Sequence, residues 1–160
     1  MIANISAEST MSSQQIDCLT PPAALLRLLS ALQGRESLDV VEQSFPLRFI
    51  FHMGLLKASA PAASWKRWVS YLREEGDYDD LRLKLVDIRQ RDGFWLVRGC
   101  WGGIARGSAS KARCYSDVLE VSYRISDGKI LELWTTPNNY SFILGRAKCS
   151  YPGFILTILR

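Results

Sequence analysis

Two side chains of this sequence, His52 and Glu120, could together move protons on a substrate. His52 ends the apolar segment 49–53, and imidazole is well suited to proton transfer near neutral pH. Glu120 lies between apolar residues on a predicted strand, where a buried carboxylate could act as an acid or a base. Such a pair could remove a proton beside a carbonyl and return it elsewhere. The alternatives are a core histidine bonded to a backbone carbonyl and a partly exposed strand glutamate.

A second candidate pair follows from the geometry of a predicted hairpin. Asp92-Gly93 is typical of a two-residue turn between strands, and counting outward from it places Asp87 opposite Arg98. Opposite charges that face each other across two strands attract. In a pocket, this pair could orient a substrate carbonyl or activate water. The alternative is a structural salt bridge between the strands.

The sequence lacks the patterns of several other kinds of site. Its four cysteines form no C-x-x-C pair and it has a single histidine, so a zinc site is not expected. It has no G-x-S-x-G segment, and its glycine-rich segment 102–107 lacks the context of a nucleotide-binding loop. We therefore expect neither a metal ion nor a cofactor.

The composition is that of one ordinary globular domain. The chain has 160 residues, of which 48% are hydrophobic and 22% charged, with a net charge of +4. Because its basic residues are scattered among acidic ones, nucleic acid is not an expected partner. The sequence has no secretory signal pattern at its start and no apolar run long enough to cross a bilayer. These features favour a cytoplasmic protein.

Helical spacing and turn residues indicate an α+β layout. A loose polar arm is predicted over residues 1–18, and a single domain over 19–160. Helices are predicted between Thr20 and Ser44, and a third helix is predicted to begin at Ser64 after a loop. The apolar stripe of that third helix contains Trp68, our candidate for a pocket wall, although such a stripe is also typical of a core. Strands are predicted at 49–53, 81–90, 94–101, 112–125 and 129–136.

The segment YRISDGKILELW, residues 123–134, carries the strongest turn signal, Asp127-Gly128. This segment and the element order over about residues 20–145 resemble the nuclear-transport-factor-2-like superfamily, closest to its SnoaL-like polyketide cyclase branch. A hairpin of the type h-x-R-I-x-D-G-K-I-x-x-x-W is the signature of that branch. The resemblance implies a cone, in which a strongly curved antiparallel sheet wraps N-terminal helices around a pocket.

The same resemblance implies roles for particular positions. In SnoaL-like cyclases and epoxide hydrolases a catalytic aspartate lies on the last strand, at the position that matches Thr135. The acid of ketosteroid isomerase matches Ser122 in the same way. Neither residue is a carboxylate here, which counts against those two mechanisms. The resemblance also places polar, functional residues at the end of the first strand, where His52 stands.

The hairpin predicts which side chains share a face. Counting from Asp127-Gly128 pairs Glu120 with Thr135, and Ser122 lies on the same face. We expect this polar face to line the pocket, and the apolar face to join two subunits into a homodimer through the sheet. The apolar face is predicted to contain Trp95, Val97, Trp101, Val121, Tyr123 and Trp134. The alternative is that the apolar face is the core and that Glu120 is solvated.

Two functions are compatible with this sequence. The first is a cofactor-independent isomerase, cyclase or dehydratase that acts on an apolar, oxygenated metabolite such as a polyketide or terpenoid. Its catalytic residues would be His52 and Glu120, with the substrate held by Trp68, Asp87, Arg98, Ser122 and Thr135. The second is a non-catalytic module of the same fold that binds a small molecule or a protein. Converging polar groups in the pocket would favour the enzyme, and a dry or filled interior would favour the module.

Overall fold

The computed structural model describes residues 19–143. The predicted arm over residues 1–18 and the apolar segment 154–159 lie outside the described residues. Within 19–143, helices and strands follow one another in the predicted α+β order.

The helices form where apolar residues recur at helical spacing. Helix α1, Ala23–Leu32, follows Pro21-Pro22 and buries Leu25, Leu28 and Leu29. Gly34, at φ +75°, ends it, and short 3-10 helices follow at Leu38–Val40 and Glu42–Ser44.

The second long helix begins earlier than predicted. Helix α2, Ala62–Glu75, has Pro61 at its N-cap, and Ser64 is fully buried in its first turn rather than capping it. The predicted loop over 57–63 is largely a strand, because its backbone pairs with the neighbouring strand in the hairpin. Buried residues of α2 form the predicted stripe: Trp65, Trp68, Val69 and Leu72.

A single sheet of seven strands accounts for most of the rest of the described chain. The strands are β1, Arg48–Met53; β2, Leu56–Pro61; β3, Tyr78–Arg91; β4, Phe94–Ala105; β5, Arg113–Tyr115; β6, Leu119–Ser126; and β7, Lys129–Thr135. Their order is β2-β1-β7-β6-β4-β3, with β5 beside β4, and only β1 and β7 pair in parallel. The predicted strand over 112–125 is therefore two strands, β5 and β6, separated by an irregular segment.

Both predicted hairpin turns are confirmed. Asp92 and Gly93 have φ values of 51° and 81°, and Asp127 and Gly128 have values of 50° and 71°. Positive φ at both central residues defines the tight turn whose twist matches that of two adjacent strands. The local sequence therefore fixes where each of these hairpins reverses.

The sheet is curved and unclosed, and its apolar face points inward toward α1 and α2. This corrects the predicted assignment of faces. Trp95, Val97, Trp101 and Tyr123, which were expected on an external surface, are at most 6% exposed in the core. The argument for a homodimer from an exposed apolar face is thus wrong, because that face is already covered by the helices of the same chain.

Candidate functional site

The candidate site is a cavity between α2 and the inner face of the sheet. Its volume is about 50 Å³. Trp68 and Leu72 approach it from α2, and Tyr123 and Leu133 from the strands β6 and β7. The remaining lining residues are Leu32, Trp65, Val69, Leu83, Val97, Gly99, Trp101, Leu119, Val121, Asn139 and Tyr140. The described lining is therefore almost entirely apolar.

Neutral polar groups meet at one end of this cavity. A 3-10 helix, Pro137–Tyr140, follows β7 and brings Asn139 and Tyr140 against the sheet. The Asn139 side-chain amide donates to the Thr135 hydroxyl at 3.0 Å, and that hydroxyl lies 3.3 Å from the Tyr140 phenol oxygen. The same amide donates to the backbone carbonyl of Glu120 at 3.1 Å, which ties the helix to β6.

Two tyrosines of the cavity are kept protonated. Burial raises the pKa of Tyr140, although hydrogen bonds to Thr135 and Trp68 act in the opposite direction. Burial also raises the pKa of Tyr123, and the nearby Tyr140 adds to this effect. Both phenols are therefore neutral at physiological pH and able to donate a hydrogen bond.

The structure brings only part of the predicted site to this cavity. Trp68 lines it, and Thr135 lies on the inner face, 6% exposed, bonded to Asn139. The sheet pairing carries Ser122, which is opposite Trp134 and Leu96, to the outer face. Of these three residues, Trp68 lines the cavity, Thr135 lies on the inner face without being one of its lining residues, and Ser122 does not reach the cavity.

A single extra residue in β7 explains why Ser122 faces outward and not into the cavity. The predicted count holds for Ile125 with Ile130, but the next pair is Arg124 with Glu132, so Leu131 forms a bulge. Tyr123 therefore pairs with Leu133, where counting from the turn predicted Ser122. A shift of one residue reverses which side chains face inward.

His52 belongs to an ionic cluster on the outer face. Its Nε2 lies 2.9 Å from Glu132 Oε2, and its ring stacks on Trp134 at 4.5 Å. Arg124 pairs with the other oxygen of Glu132. Burial alone would raise the pKa of Glu132, but hydrogen bonds from His52 and Arg124 hold it below its usual value.

The structure does not bring Glu120 to His52. The Glu120 side chain is 44% exposed and pairs with Arg89 at 3.3 Å, whereas His52 is 16% exposed and pairs with Glu132. The predicted proton-transfer pair is therefore wrong as a pair, because each member has its own partner on the solvent-facing side of the sheet. Glu120 is solvated, as the alternative interpretation of the sequence stated.

Asp87 and Arg98 are opposite each other, as the turn count predicts. Both belong to the outer face, and among residues 19–143 no ion pair joins them. A bulge between Leu85 and Asp87 interrupts β3 just beyond the pair. The register was thus predictable, whereas a place for this pair in the pocket was not confirmed.

Sequence reasoning missed Tyr123, Asn139 and Tyr140 as candidate binding residues. The signal for Asn139 and Tyr140 was present in Thr136-Pro137, since proline at the first position of a helical turn predicts a turn directly after β7. In the described part of the chain, no group of three or more histidine, cysteine or acidic residues could hold a metal ion. No helix between residues 19 and 143 is long and apolar enough to cross a membrane.

Comparison with solved structures agrees with this architecture. A protein of Sinorhizobium meliloti assigned as a polyketide cyclase superimposes with a TM-score of 0.53 at 17% identity, covering 71% of this chain and 94% of that one. A nuclear-transport-factor-2-like protein of unknown function from an Exiguobacterium species gives 0.54 at 14% identity, covering 70% and 95%.

A third structure is an epoxide hydrolase of M. tuberculosis of the limonene-epoxide-hydrolase-like kind. Its TM-score is 0.53 at 14% identity, over 76% of this chain and 86% of that one. The chain has the nuclear-transport-factor-2-like fold. No family model and no curated protein sequence matches it.

Proposed function

We propose that this chain is a small-molecule-binding module, the second of the two functions compatible with the sequence. Its ligand is small and mainly apolar, and carries an oxygen that accepts a hydrogen bond. The observation that supports this proposal is the chemistry of the cavity wall. Among residues 19–143, the wall contains aliphatic, aromatic, amide and phenol side chains and no carboxylate, imidazole, ammonium or guanidinium.

The neutral polar groups fit such a ligand. Tyr140 and Tyr123 stay protonated because they are buried, so each can donate to a ketone, ether or alcohol oxygen. A hydrogen bond formed inside an apolar enclosure gains from the absence of competing water. The apolar wall supplies affinity, and the phenols orient the oxygen.

The size of the cavity limits the ligand. A volume of 50 Å³ corresponds to about three to five water-sized spheres, because one such sphere needs about 10–15 Å³. A fragment of a few carbon atoms fits the cavity as it stands. A complete polyketide or terpenoid requires the wall to move.

The enzyme remains the competing function. Proton transfer requires an acid or base within hydrogen-bonding reach of the reacting atoms. His52 and Glu120 lie on the other face of the sheet. The two tyrosines keep their protons at neutral pH because their pKa values are raised, so neither can act as a base. Assembly into a homodimer and a cytoplasmic location stay predictions.

Titration with 2-butanone, followed by NMR, tests the proposal. We expect methyl resonances of the cavity wall to shift, and Val97→Ile to weaken binding because it adds a carbon atom to that wall. Tyr140→Phe should weaken binding about two- to tenfold, the value of one neutral hydrogen bond.

The matched control is Val86→Ile, which adds the same carbon atom at an exposed position of β3. It should bind 2-butanone as the unmodified protein does. Binding that is equally strong in Val97→Ile, or shifts confined to the outer face, would contradict the proposal.

A further inference from the structure

A polar cleft lies beside the cavity and is not part of it. Gln33 and Arg35, which follow α1, form one side, and β3 contributes the segment 82–85. Gly102 of β4, with Arg113 and Tyr115 of β5, completes it. The cleft is open to solvent and has a volume of about 490 Å³. This volume falls within the range of small-molecule sites, about 300–1,000 Å³.

The cleft has an excess of positive charge. Arg35, Arg82, Lys84 and Arg113 line it, and the nearby acid is Asp80. Asp80 pairs with Arg82 at 2.7 Å and also with Arg113. The lining residues thus carry four positive charges, of which Asp80 offsets one, and the field in the cleft attracts an anion.

The two arginines paired to Asp80 are held in place. Arg113 also donates to the backbone carbonyls of Asp80, at 2.8 Å, and Gly102, at 3.0 Å. Burial alone would raise the pKa of Asp80, but hydrogen bonds from Arg113 and Arg82 keep it below its usual value. These contacts fix the positive side of the cleft before any ligand arrives, which lowers the entropy lost on binding.

An aromatic ring forms the floor. Tyr115 is 51% exposed, and its ring lies against Gly102, where an added Cβ would come within 2.6 Å of Cε1. The Lys84 ammonium lies 5.1 Å above the ring centroid. Glycine at position 102 therefore allows a cation and an aromatic face to share one side of the cleft.

Leu83 separates the cleft from the cavity. Its side chain lines both, and it rests on Gly99, where an added Cβ would meet Leu83 Cδ1 at 2.9 Å. Leu32 lines the cavity, and the next residue, Gln33, lines the cleft. Leu83 is therefore a residue at which the basic cleft and the apolar cavity adjoin.

We propose that the cleft binds the anionic head group of the ligand whose apolar part occupies the cavity. The ligand class is an amphipathic anion, a short apolar chain that ends in a carboxylate or a phosphate. This inference rests on the proposed function, because it assigns the head of the same ligand. It also gives the positive charge of the cleft a role in binding, whereas a neutral ligand confined to the cavity would not use that charge.

Calorimetric titration with pentanoate, pentyl phosphate and 1-pentanol tests the inference. We expect both anions to bind more tightly than the alcohol, and added salt to reduce that difference. The double substitution Arg35→Gln/Lys84→Gln removes two cations that do not hold Asp80. It should weaken binding of both anions about a hundredfold or more, since each of the two lost hydrogen bonds to a charged group contributes about a factor of ten or more. Binding of 1-pentanol should not change.

The control is Arg27→Gln/Lys57→Gln, which removes one arginine and one lysine from exposed positions outside the cleft. It lowers the net charge equally and should leave all three affinities unchanged. Pentanoate and pentyl phosphate are compared in the same series, and the tighter of the two identifies the head group.

The possible failures are distinct. If 1-pentanol binds in the cavity and the anions bind no more tightly, the inference is wrong and the proposed function stands. If acetate or inorganic phosphate binds as tightly as the five-carbon anions, the cleft binds the anionic group and the apolar chain in the cavity adds no affinity. This result also overturns the inference. If neither 1-pentanol nor the anions shift the methyl resonances of the cavity wall, the proposed function itself is wrong.

Discussion

The two faces of the sheet differ in whether their polar side chains are neutral or charged. On the inner face, Tyr123, Thr135 and Tyr140 are buried and neutral. On the outer face, several charged side chains form ion pairs, as in the contacts of Glu132 with His52 and Arg124. A charge is costly to bury without a partner, so the face that packs against the helices carries hydroxyl groups instead. The residues that look most suitable for catalysis are therefore separated from the enclosed cavity.

A shift of one residue in strand pairing is enough to decide which face of the sheet a side chain occupies. The bulge at Leu131 shifts the pairing of β6 and β7 by one residue. Without it, Leu133 would share a face with Ser122; with it, Leu133 pairs with Tyr123 in the core. The chemistry available to the cavity thus depends on one backbone irregularity.

The largest expected effect tests the assignment of faces. Leu133 is 4% exposed on the inner face, and Leu133→Ala should lower the free energy of unfolding by about 2–5 kcal/mol, the usual cost of a core Leu→Ala change. The same change at Leu96, half-buried on the outer face of β4, should cost clearly less. Urea denaturation of the two variants measures the difference. Equal losses would contradict the inward orientation of Leu133.

Local signals in the sequence were sufficient for much of the fold. Asp92-Gly93 and Asp127-Gly128 predicted both tight turns, since few other residues adopt positive φ at two successive positions. Helical spacing predicted α1 and the stripe on α2. The opposition of Asp87 and Arg98 followed from counting, because no irregularity lies between that pair and its turn.

The candidate site was less predictable, for physical reasons. The bulge at Leu131 has no glycine or proline to mark it, so a count from the turn fails beyond Ile130. The strand β2 contains Ala58, Ser59 and Pro61, which have low strand propensity, and it is stabilised by pairing with β1. Asn139 and Tyr140 reach the cavity only through tertiary packing of the turn that follows β7.

The next effect compares two carboxylates of the outer face. Glu132 is 13% exposed and bonded to His52 and Arg124, whereas Glu120 is 44% exposed with Arg89 as its ion-pair partner. Glu132→Gln should cost about 1–3 kcal/mol at neutral pH, since it removes hydrogen bonds to a charged group. Glu120→Gln should cost less than about 1 kcal/mol, because exposed pairs contribute little.

The pH dependence of the Glu132 effect has a defined sign. The folded-state pKa of Glu132 lies below its ordinary value, so the carboxylate stabilises the fold above the ordinary pKa of glutamate. This contribution is lost as the pH falls through the lowered folded-state pKa. The difference between the unmodified protein and Glu132→Gln should therefore be full at pH 7 and shrink below about pH 4. A difference that is constant from pH 7 to pH 3 would show that the carboxylate charge is not what stabilises the cluster.

The smallest expected effect concerns Asp87. It lies opposite Arg98 without an ion pair in the described structure, at a half-buried position beside the bulge in β3. Asp87→Asn keeps the shape of the side chain and removes its charge, so we expect a change in unfolding free energy within about 0.5 kcal/mol, as for most surface substitutions. Binding of 2-butanone should be unchanged, because Asp87 is on the face away from the cavity. The control is Asp87→Asn combined with Arg98→Gln: if the two positions are independent, the effects add. A coupling energy above about 1 kcal/mol would reveal an interaction between the two side chains and restore the predicted salt bridge.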